Sequence, residues 1–198
     1  MHFTIGTTRF TVSFLFCCVL ALLILFDNNV LLYSFLMVCA HESAHLLAMY
    51  CCAVKVEAVR LEPFGIIIEK RDEDISLKAQ AVIAAAGCVI NFVLAGLFLW
   101  LYCFFKSEVT FTLFCVNLCL FSLNILPIHG LDGGQILNLF LQSKGKKNAE
   151  TTVKTISCIC CALLFIFGMI LCFKVRFNPS ICLISFVLFI QSFLYRQE

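Results

Sequence analysis

Residues 30–54 read VLLYSFLMVCAHESAHLLAMYCCAV, a stretch that is mostly apolar and long enough to cross a bilayer as a helix. It nevertheless contains three ionisable residues within five positions, His41, Glu42 and His45. A charged residue at the centre of a membrane helix costs roughly 2.5–3.5 kcal/mol, so such residues usually face a cavity or a partner and have a function. The composition alone predicts only roughly 0.003 occurrences of His-Glu-x-x-His. This stretch therefore predicts a membrane helix with a functional site.

The spacing of the two histidines indicates what that site binds. On a helix His41 and His45 lie one turn apart on the same face, so their imidazoles can bind one Zn²⁺. Glu42 beside them is then the candidate general base. The pattern is typical of a metalloprotease centre. The alternative is that these polar residues only satisfy one another within a helix bundle.

The composition indicates a polytopic membrane protein. Hydrophobic residues make up 62% of the chain, the mean hydropathy is +1.03 and only 13% of residues are charged, against roughly 25% in an average soluble domain. We predict an all-α membrane protein with one domain over residues 1–198. Six apolar runs are near the length of a spanning helix: 10–26, 30–53, 79–105, 109–126, 155–173 and 180–195.

The first run is predicted to be a retained span, because it is longer than a usual signal-peptide core and no small-x-small cleavage site follows it. The 14 cysteines fall mostly within the predicted spans, where Cys acts as a small hydrophobic residue. The net charge of +2 and the absence of a basic tract with interleaved aromatics exclude nucleic acid as an expected partner.

The distribution of Lys and Arg predicts the orientation. Eleven of the 14 basic residues fall in alternate loops and at the termini on one side, and three fall on the other. The chain is therefore expected to cross the cell membrane several times with both termini in the cytoplasm. The second span then runs inward, which places the histidine pair in its cytoplasmic half.

A second polar segment lies at the end of the fourth predicted span, where residues 124–134 read NILPIHGLDGG. Pro127 breaks the helix and the glycines let the backbone turn, and non-helical chain at membrane depth is tolerated where it lines a cavity. A catalytic zinc usually takes three protein ligands, so Asp132 and His129 are both candidates for the third. The alternative is an ordinary turn with a solvated Asp132.

The two segments together resemble the paired signatures of the site-2 proteases, zinc metalloproteases that cleave substrates within the membrane. The resemblance rests on HESAH at 41–45 and on Asn124-x-x-Pro127-x-x-x-x-Asp132-Gly133, and it covers about residues 30–140. It implies a catalytic core over that range, with the other spans as accessory elements. It also implies that His129 occupies a variable position rather than a ligand position.

Carried over to matching positions, the resemblance assigns a role to each of these residues. It implies one Zn²⁺ per chain with Glu42 as general base and Asn124 as a substrate-positioning residue. The implied metal ligands are His41, His45 and Asp132.

Residues 86–91, AGCVIN, are similar to the family's Ala-Gly-Pro-x-x-Asn segment, with Cys88 in place of the proline. Asn91 could bond across to the catalytic helices or could be a packing amide, and the sequence leaves both open. Small residues at 84–87 permit close helix approach.

Between the second and third spans, the sequence predicts a β-hairpin with strands Lys55–Leu61 and Ile66–Glu69. The two strands flank a Glu-Pro-Phe-Gly turn. It resembles the membrane-associated β element of the family. An exposed strand edge could pair with an unwound substrate segment. Gly65, in this turn, and Pro127, in the loop after the fourth predicted span, are further candidate substrate-binding residues. The alternative is a plain connecting hairpin.

The predicted function is zinc-dependent cleavage of a membrane-embedded or membrane-associated protein near the cytoplasmic face. The architecture most resembles the sporulation branch, which implies regulated intramembrane proteolysis of a sigma-factor precursor. We also expect a minimal enzyme, because six spans leave no room for a PDZ or CBS domain.

Three other classes fit less well. A related H-E-x-x-H protease with a Glu as third ligand needs that Glu on a later span, whereas the only glutamates after Glu108 are Glu150 and Glu198. A zinc transporter needs a polar path, which the last two predicted spans lack. An inactive membrane scaffold would have lost part of the catalytic set, which is complete here.

Overall fold

The structure is a computed structural model that describes residues 2–5, 8–12, 29–54, 56–62, 65–70, 75–146, 148–174 and 189. Two compact units, Met1–Phe121 and Ser122–Glu198, divide the chain. The elements in chain order are β1 (His2–Ile5), β2 (Thr8–Val12), α1 (Asn29–Cys51), β3 (Val56–Glu62), β4 (Gly65–Lys70), α2 (Leu77–Phe105), α3 (Glu108–Asn124), α4 (Asp132–Ser143) and α5 (Ala149–Lys174).

Three of the described helices are long and apolar enough to cross a membrane: Asn29–Cys51, Leu77–Phe105 and Ala149–Ile170. They correspond to the predicted second, third and fifth spans. The predicted fourth span corresponds to α3, which is apolar but has only 17 residues. Large apolar side chains such as Phe92, Trp100 and Phe167 are more than half exposed on these helices, as expected of lipid-facing positions. The described residues thus contain three of the six predicted spans as long apolar helices and a fourth as a shorter helix.

The predicted first and sixth spans lie almost wholly outside the described residues. The predicted start of the first span is wrong, because residues 10–12 belong to strand β2 rather than to a helix. The reason is visible in the sequence: Phe3 and Ile5, then Phe10 and Val12, alternate with polar residues on either side of a Gly-Thr pair. Averaging hydropathy over a long window hides this period-two pattern, which favours strands.

The strands form one four-stranded sheet in the order β1-β2-β3-β4. β1 pairs antiparallel with β2, β2 runs parallel to β3, and β3 pairs antiparallel with β4. The β3 and β4 strands lie where the sequence predicted two strands, while the turn at 63–64 lies outside the described residues. The sheet is larger than the predicted two-stranded element because β1 and β2 join it. Within the described chain β4 is an edge strand.

Helix α2 has recognisable start and stop signals. The hydroxyl of Ser76 accepts a hydrogen bond from the Ala79 N–H at 3.3 Å, which is N-capping by a side chain. Lys106 at the other end adopts a left-handed conformation with φ of 50°. Its N–H donates to the carbonyl of Tyr102. These local signals fix the length of the longest apolar helix.

In the second unit the segment between α3 and α4 folds tightly against the start of α4. A Cβ on Gly133 would lie 2.5 Å from the carbonyl oxygen of Leu126, and a Cβ on Gly134 would overlap the carbonyl of Ile128. Ile128 is fully buried. The two glycines are therefore required by close backbone approach, which fixes the loop immediately before Asp132.

Ser157 on α5 holds this same loop from the other side. It is fully buried, and its Oγ accepts a hydrogen bond from the backbone N–H of His129 at 2.6 Å. The hydroxyl donates to the carbonyl of Val153 at 2.8 Å, with the carbonyl of Pro127 at 3.4 Å as the alternative acceptor. One side chain thus ties α5 to the turn that precedes Asp132.

We expect Ser157→Ala to lower the free energy of unfolding of this unit by about 1–2 kcal/mol, because it removes a buried hydrogen-bond acceptor from the His129 N–H. Denaturant unfolding of the protein in detergent micelles measures the change. Thr155→Ala on the same helix is the control, since its exposed hydroxyl only donates to the carbonyl of Thr151. Equal stability of the two variants would contradict the anchoring role of Ser157.

Candidate metal centre

The two histidines of α1 face α2 and are almost completely buried, with 5% of His41 and 8% of His45 exposed. His41 contacts Asn91 and His45 contacts the backbone of Ile83. The contact position on α2 moves backward as the chain moves forward along α1, so the two helices pack antiparallel. The polar face of α1 is therefore turned into the protein and away from lipid.

The ring nitrogens are arranged as a pair of metal ligands would be. His41 Nε2 and His45 Nε2 lie 3.2 Å apart, and the two rings meet edge to face with centroids 4.8 Å apart. His45 Nδ1 lies 2.8 Å from the Ile83 carbonyl oxygen, which can only accept, so Nδ1 bears the proton. Its Nε2 consequently presents a lone pair, the form that binds a metal.

The space around these nitrogens depends on Gly87, which lies on α2 between the two contact positions. A Cβ at this position would lie 2.6 Å from His41 Nε2 and closer still to His45 Nε2. Any residue with a Cβ would overlap the two imidazoles at their donor nitrogens, so the rings pack directly against the backbone of Gly87. Two imidazole nitrogens 3.2 Å apart fit zinc, for which imidazole nitrogen is a preferred ligand.

Glu42 follows His41 on α1 and is half-buried. It is adjacent to His41 but is less buried than the two histidines that contact α2. This exposure is suitable for a group that must meet water and substrate. Its role as general base stays a prediction.

The remaining predicted site residues lie on other elements. Gly65 is the first residue of β4 and Asn124 is the last residue of α3. Pro127 and His129 lie in the loop that follows α3, both half-buried. Asp132 is the first residue of α4 and is half-buried.

Asp132 occupies a favourable place for a carboxylate. The first turn of a helix has unsatisfied N–H groups and a positive partial charge, which stabilise an anion. A cavity of about 270 Å³ lies at this end of α4, and Asp132, His129 and Asn138 are among its lining residues. Asp132 therefore lies in the first turn of α4, next to an opening.

Three contributors to the site were not identified from the sequence. The Ile83 carbonyl is a backbone group, so residue type does not reveal it. Gly87 was noted for helix packing and not for the space it leaves beside the histidines. Ser157 lies 25 residues beyond Asp132 in the chain. The Asn91 side chain, for which two roles were open, contacts His41 with its amide nitrogen 2.8 Å from Nδ1.

Comparison with known proteins gives three similarities. The sequence profile described as Peptidase family M50 matches residues 30–112 and 105–167. A zinc metalloprotease of Methanocaldococcus jannaschii is 29% identical over 115 residues, which are 56% of this chain and 33% of that protein. The match thus spans about a third of the length of this curated relative.

The fold also matches a solved structure, the site-2 protease from Methanocaldococcus jannaschii. The TM-score is 0.68 at 22% sequence identity, over all of this chain and 95% of that one. The family profile, which spans well over half of the chain, confirms the predicted peptidase family. The matched relative is itself named a zinc metalloprotease, which agrees with the predicted cofactor. The chain belongs to peptidase family M50, the membrane metalloproteases that include the site-2 proteases.

Proposed function

We propose that this protein is an intramembrane zinc endopeptidase. The observation that carries the proposal is the pair of buried imidazoles with Nε2 atoms 3.2 Å apart, placed on an apolar helix beside the space that Gly87 leaves. Two convergent donors within an apolar helix pair are costly unless they bind something. Membership of a peptidase family supports a hydrolytic role for the bound metal.

Each residue has a defined task in this proposal. His41 and His45 would hold zinc through Nε2, and Asp132 would supply the third ligand through its carboxylate. When bound, zinc polarises a substrate carbonyl and makes a water molecule more acidic. Glu42 takes the proton from the attacking water and delivers it to the nitrogen of the leaving amine.

The proposed substrate is a membrane-embedded or membrane-associated protein, cut near the cytoplasmic face. A peptide bond within a transmembrane helix is hydrogen-bonded and shielded, so the segment must unwind before it reacts. The free edge of β4, which begins at Gly65, could pair with the extended segment by β-augmentation. Asn124 and Pro127 are proposed to position it.

The finer assignments are proposals as well. Six spans with both termini in the cytoplasm would place the histidines in the cytoplasmic half of the membrane. The sporulation branch, with a sigma-factor precursor as substrate, rests on the architecture of the sequence. Coexpression with such a precursor, followed by detection of its shortened form, tests this branch.

Glu42→Gln is expected to keep zinc but to lower the rate of cleavage about 10²–10⁴-fold, because it removes the general base and leaves the ligands in place. Cleavage is measured on a panel of single-span proteins with cytoplasmic tails, and zinc by elemental analysis. Glu108→Gln is the control, since Glu108 is exposed at the start of α3. Full activity of Glu42→Gln with zinc bound would refute this mechanism.

Gly87→Ala is expected to abolish zinc binding, because the added methyl group would overlap both imidazoles. Gly96→Ala on the same helix is a matched control, since a Cβ there meets no atom within 4 Å. It should bind zinc like the wild type and stabilise α2 by up to about 1 kcal/mol. Zinc affinity is measured by competition with a chelator. Equal affinities for the two variants would place the metal elsewhere.

Asp132→Ala is expected to weaken zinc binding by at least about tenfold, since it removes the proposed carboxylate ligand and leaves the two imidazoles. His129→Ala should bind zinc like the wild type, because the family resemblance places His129 at a variable position of the motif rather than at a ligand position. The same chelator competition measures both. The reverse order of affinities would make His129 the third ligand.

A further inference from the structure

Asn91 is fully buried at the metal centre, on the side of His41 opposite its Nε2. Burial of an amide without hydrogen bonds costs at least about 1–3 kcal/mol, so such a group is normally bonded to a partner. Its side-chain contact is with His41 Nδ1, at 2.8 Å. The residue is therefore a direct neighbour of a proposed ligand, one turn along α2 from Gly87.

The orientation of the amide determines which nitrogen of His41 bears the proton. If the amide nitrogen of Asn91 donates to Nδ1, then Nδ1 accepts and the proton lies on Nε2. His41 Nε2 would then donate to His45 Nε2, 3.2 Å away, and His45 Nδ1 to the Ile83 carbonyl. This forms a continuous hydrogen-bond chain, but it leaves His41 without a lone pair for a metal.

Rotation of the Asn91 amide by a half-turn exchanges its oxygen and nitrogen, and the proton of His41 then lies on Nδ1 instead of Nε2. The amide oxygen, which has no hydrogen-bond partner among the described residues in the present orientation, would accept from Nδ1–H. His41 Nε2 would then carry the lone pair with which an imidazole binds a metal. Because the half-turn exchanges one unpaired amide atom for the other and also gives up the hydrogen bond between the two Nε2 atoms, hydrogen bonding alone does not select this second orientation. Metal binding does, since a ligating imidazole normally donates its other N–H to an acceptor.

We propose that Asn91 is the positioning residue of the zinc site: its Oδ1 accepts the Nδ1 proton of His41 and so maintains Nε2 as a metal ligand. This inference rests on the proposed function and adds a residue to it. It also assigns matching roles to two neighbours on α2. The Ile83 carbonyl sets the tautomer of His45, and the Asn91 amide sets that of His41.

The chain contains a second buried asparagine that separates this role from packing. Asn117 on α3 is also fully buried, and its Oδ1 likewise has no hydrogen-bond partner among the described residues. Its amide nitrogen donates to the carbonyl of Leu113, four residues earlier on the same helix, at 2.8 Å. Asn117→Leu therefore reports the cost of replacing a buried amide that contacts no proposed ligand.

The test compares wild type with Asn91→Leu, Asn91→Asp and Asn117→Leu as full-length proteins in detergent or nanodiscs. Leucine removes both the donor and the acceptor at similar volume, whereas aspartate keeps an acceptor and loses the donor. Zinc dissociation constants are measured by competition with a chelator. The tautomer of His41 is read from ¹⁵N–¹H correlation spectra of histidine-labelled, zinc-loaded protein.

We expect Asn91→Leu to weaken zinc binding about 10–100-fold, Asn91→Asp to bind at least as tightly as wild type, and Asn117→Leu to leave the affinity unchanged. The Nδ1–H signal of His41 should be present in the zinc-loaded wild type. Wild-type affinity in Asn91→Leu, or loss of zinc in Asn91→Asp, would overturn the assignment. If Asn91→Leu does not fold, the zinc affinity of Asn91→Asp alone tests the assignment.

The same series separates this inference from the proposed function. A wild type that binds one zinc and cleaves substrate, together with an unaffected Asn91→Leu, overturns only the role of Asn91. A wild type that binds no zinc overturns the proposed function, and the positioning role with it.

Discussion

The structure depends on the requirement that each nitrogen of two buried imidazoles have a partner within an apolar helix pair. His41 and His45 cannot be solvated where α1 packs on α2, so α2 supplies an amide, a carbonyl and the space beside Gly87. The antiparallel packing of these two helices brings all three to one place. Such an arrangement would be an expensive defect in a purely structural helix pair. In a metalloprotease it leaves the Nε2 atoms convergent and the Nδ1 atoms engaged.

In the second unit, the irregular loop between α3 and α4 is stabilised by specific contacts. Residues 125–131 leave the helical conformation, and their polar groups need partners. Ser157 supplies one acceptor, and Gly133 and Gly134 let the loop pack against the first turn of α4. These contacts fix the loop, which places Asp132 at a helix N-terminus, where a carboxylate is electrostatically favoured.

The sequence was sufficient where side-chain type determines the chemistry. Histidines four residues apart in an apolar run predicted the buried imidazole pair that α1 turns toward α2, and apolar runs predicted α1, α2 and α5. It was insufficient where the chemistry lies in backbone or in empty space. The Ile83 carbonyl cannot be recognised from a side chain, and the importance of Gly87 depends on which residues face it. Strands β1 and β2 were missed because a hydropathy window long enough to find spans averages out two-residue alternation. Asn91 was left open between two roles because only the helix register places it on His41.

The most direct test of the account is X-ray absorption at the zinc edge of the purified, zinc-loaded wild type. Because the chain contains 14 cysteines, thiolates are the obvious competing donors for a bound metal. The account predicts a first shell of two imidazole nitrogens with the remaining ligands oxygen, and no sulfur. A sulfur shell at about 2.3 Å, or a spectrum without imidazole scattering, would contradict the claim that His41 and His45 form the metal centre.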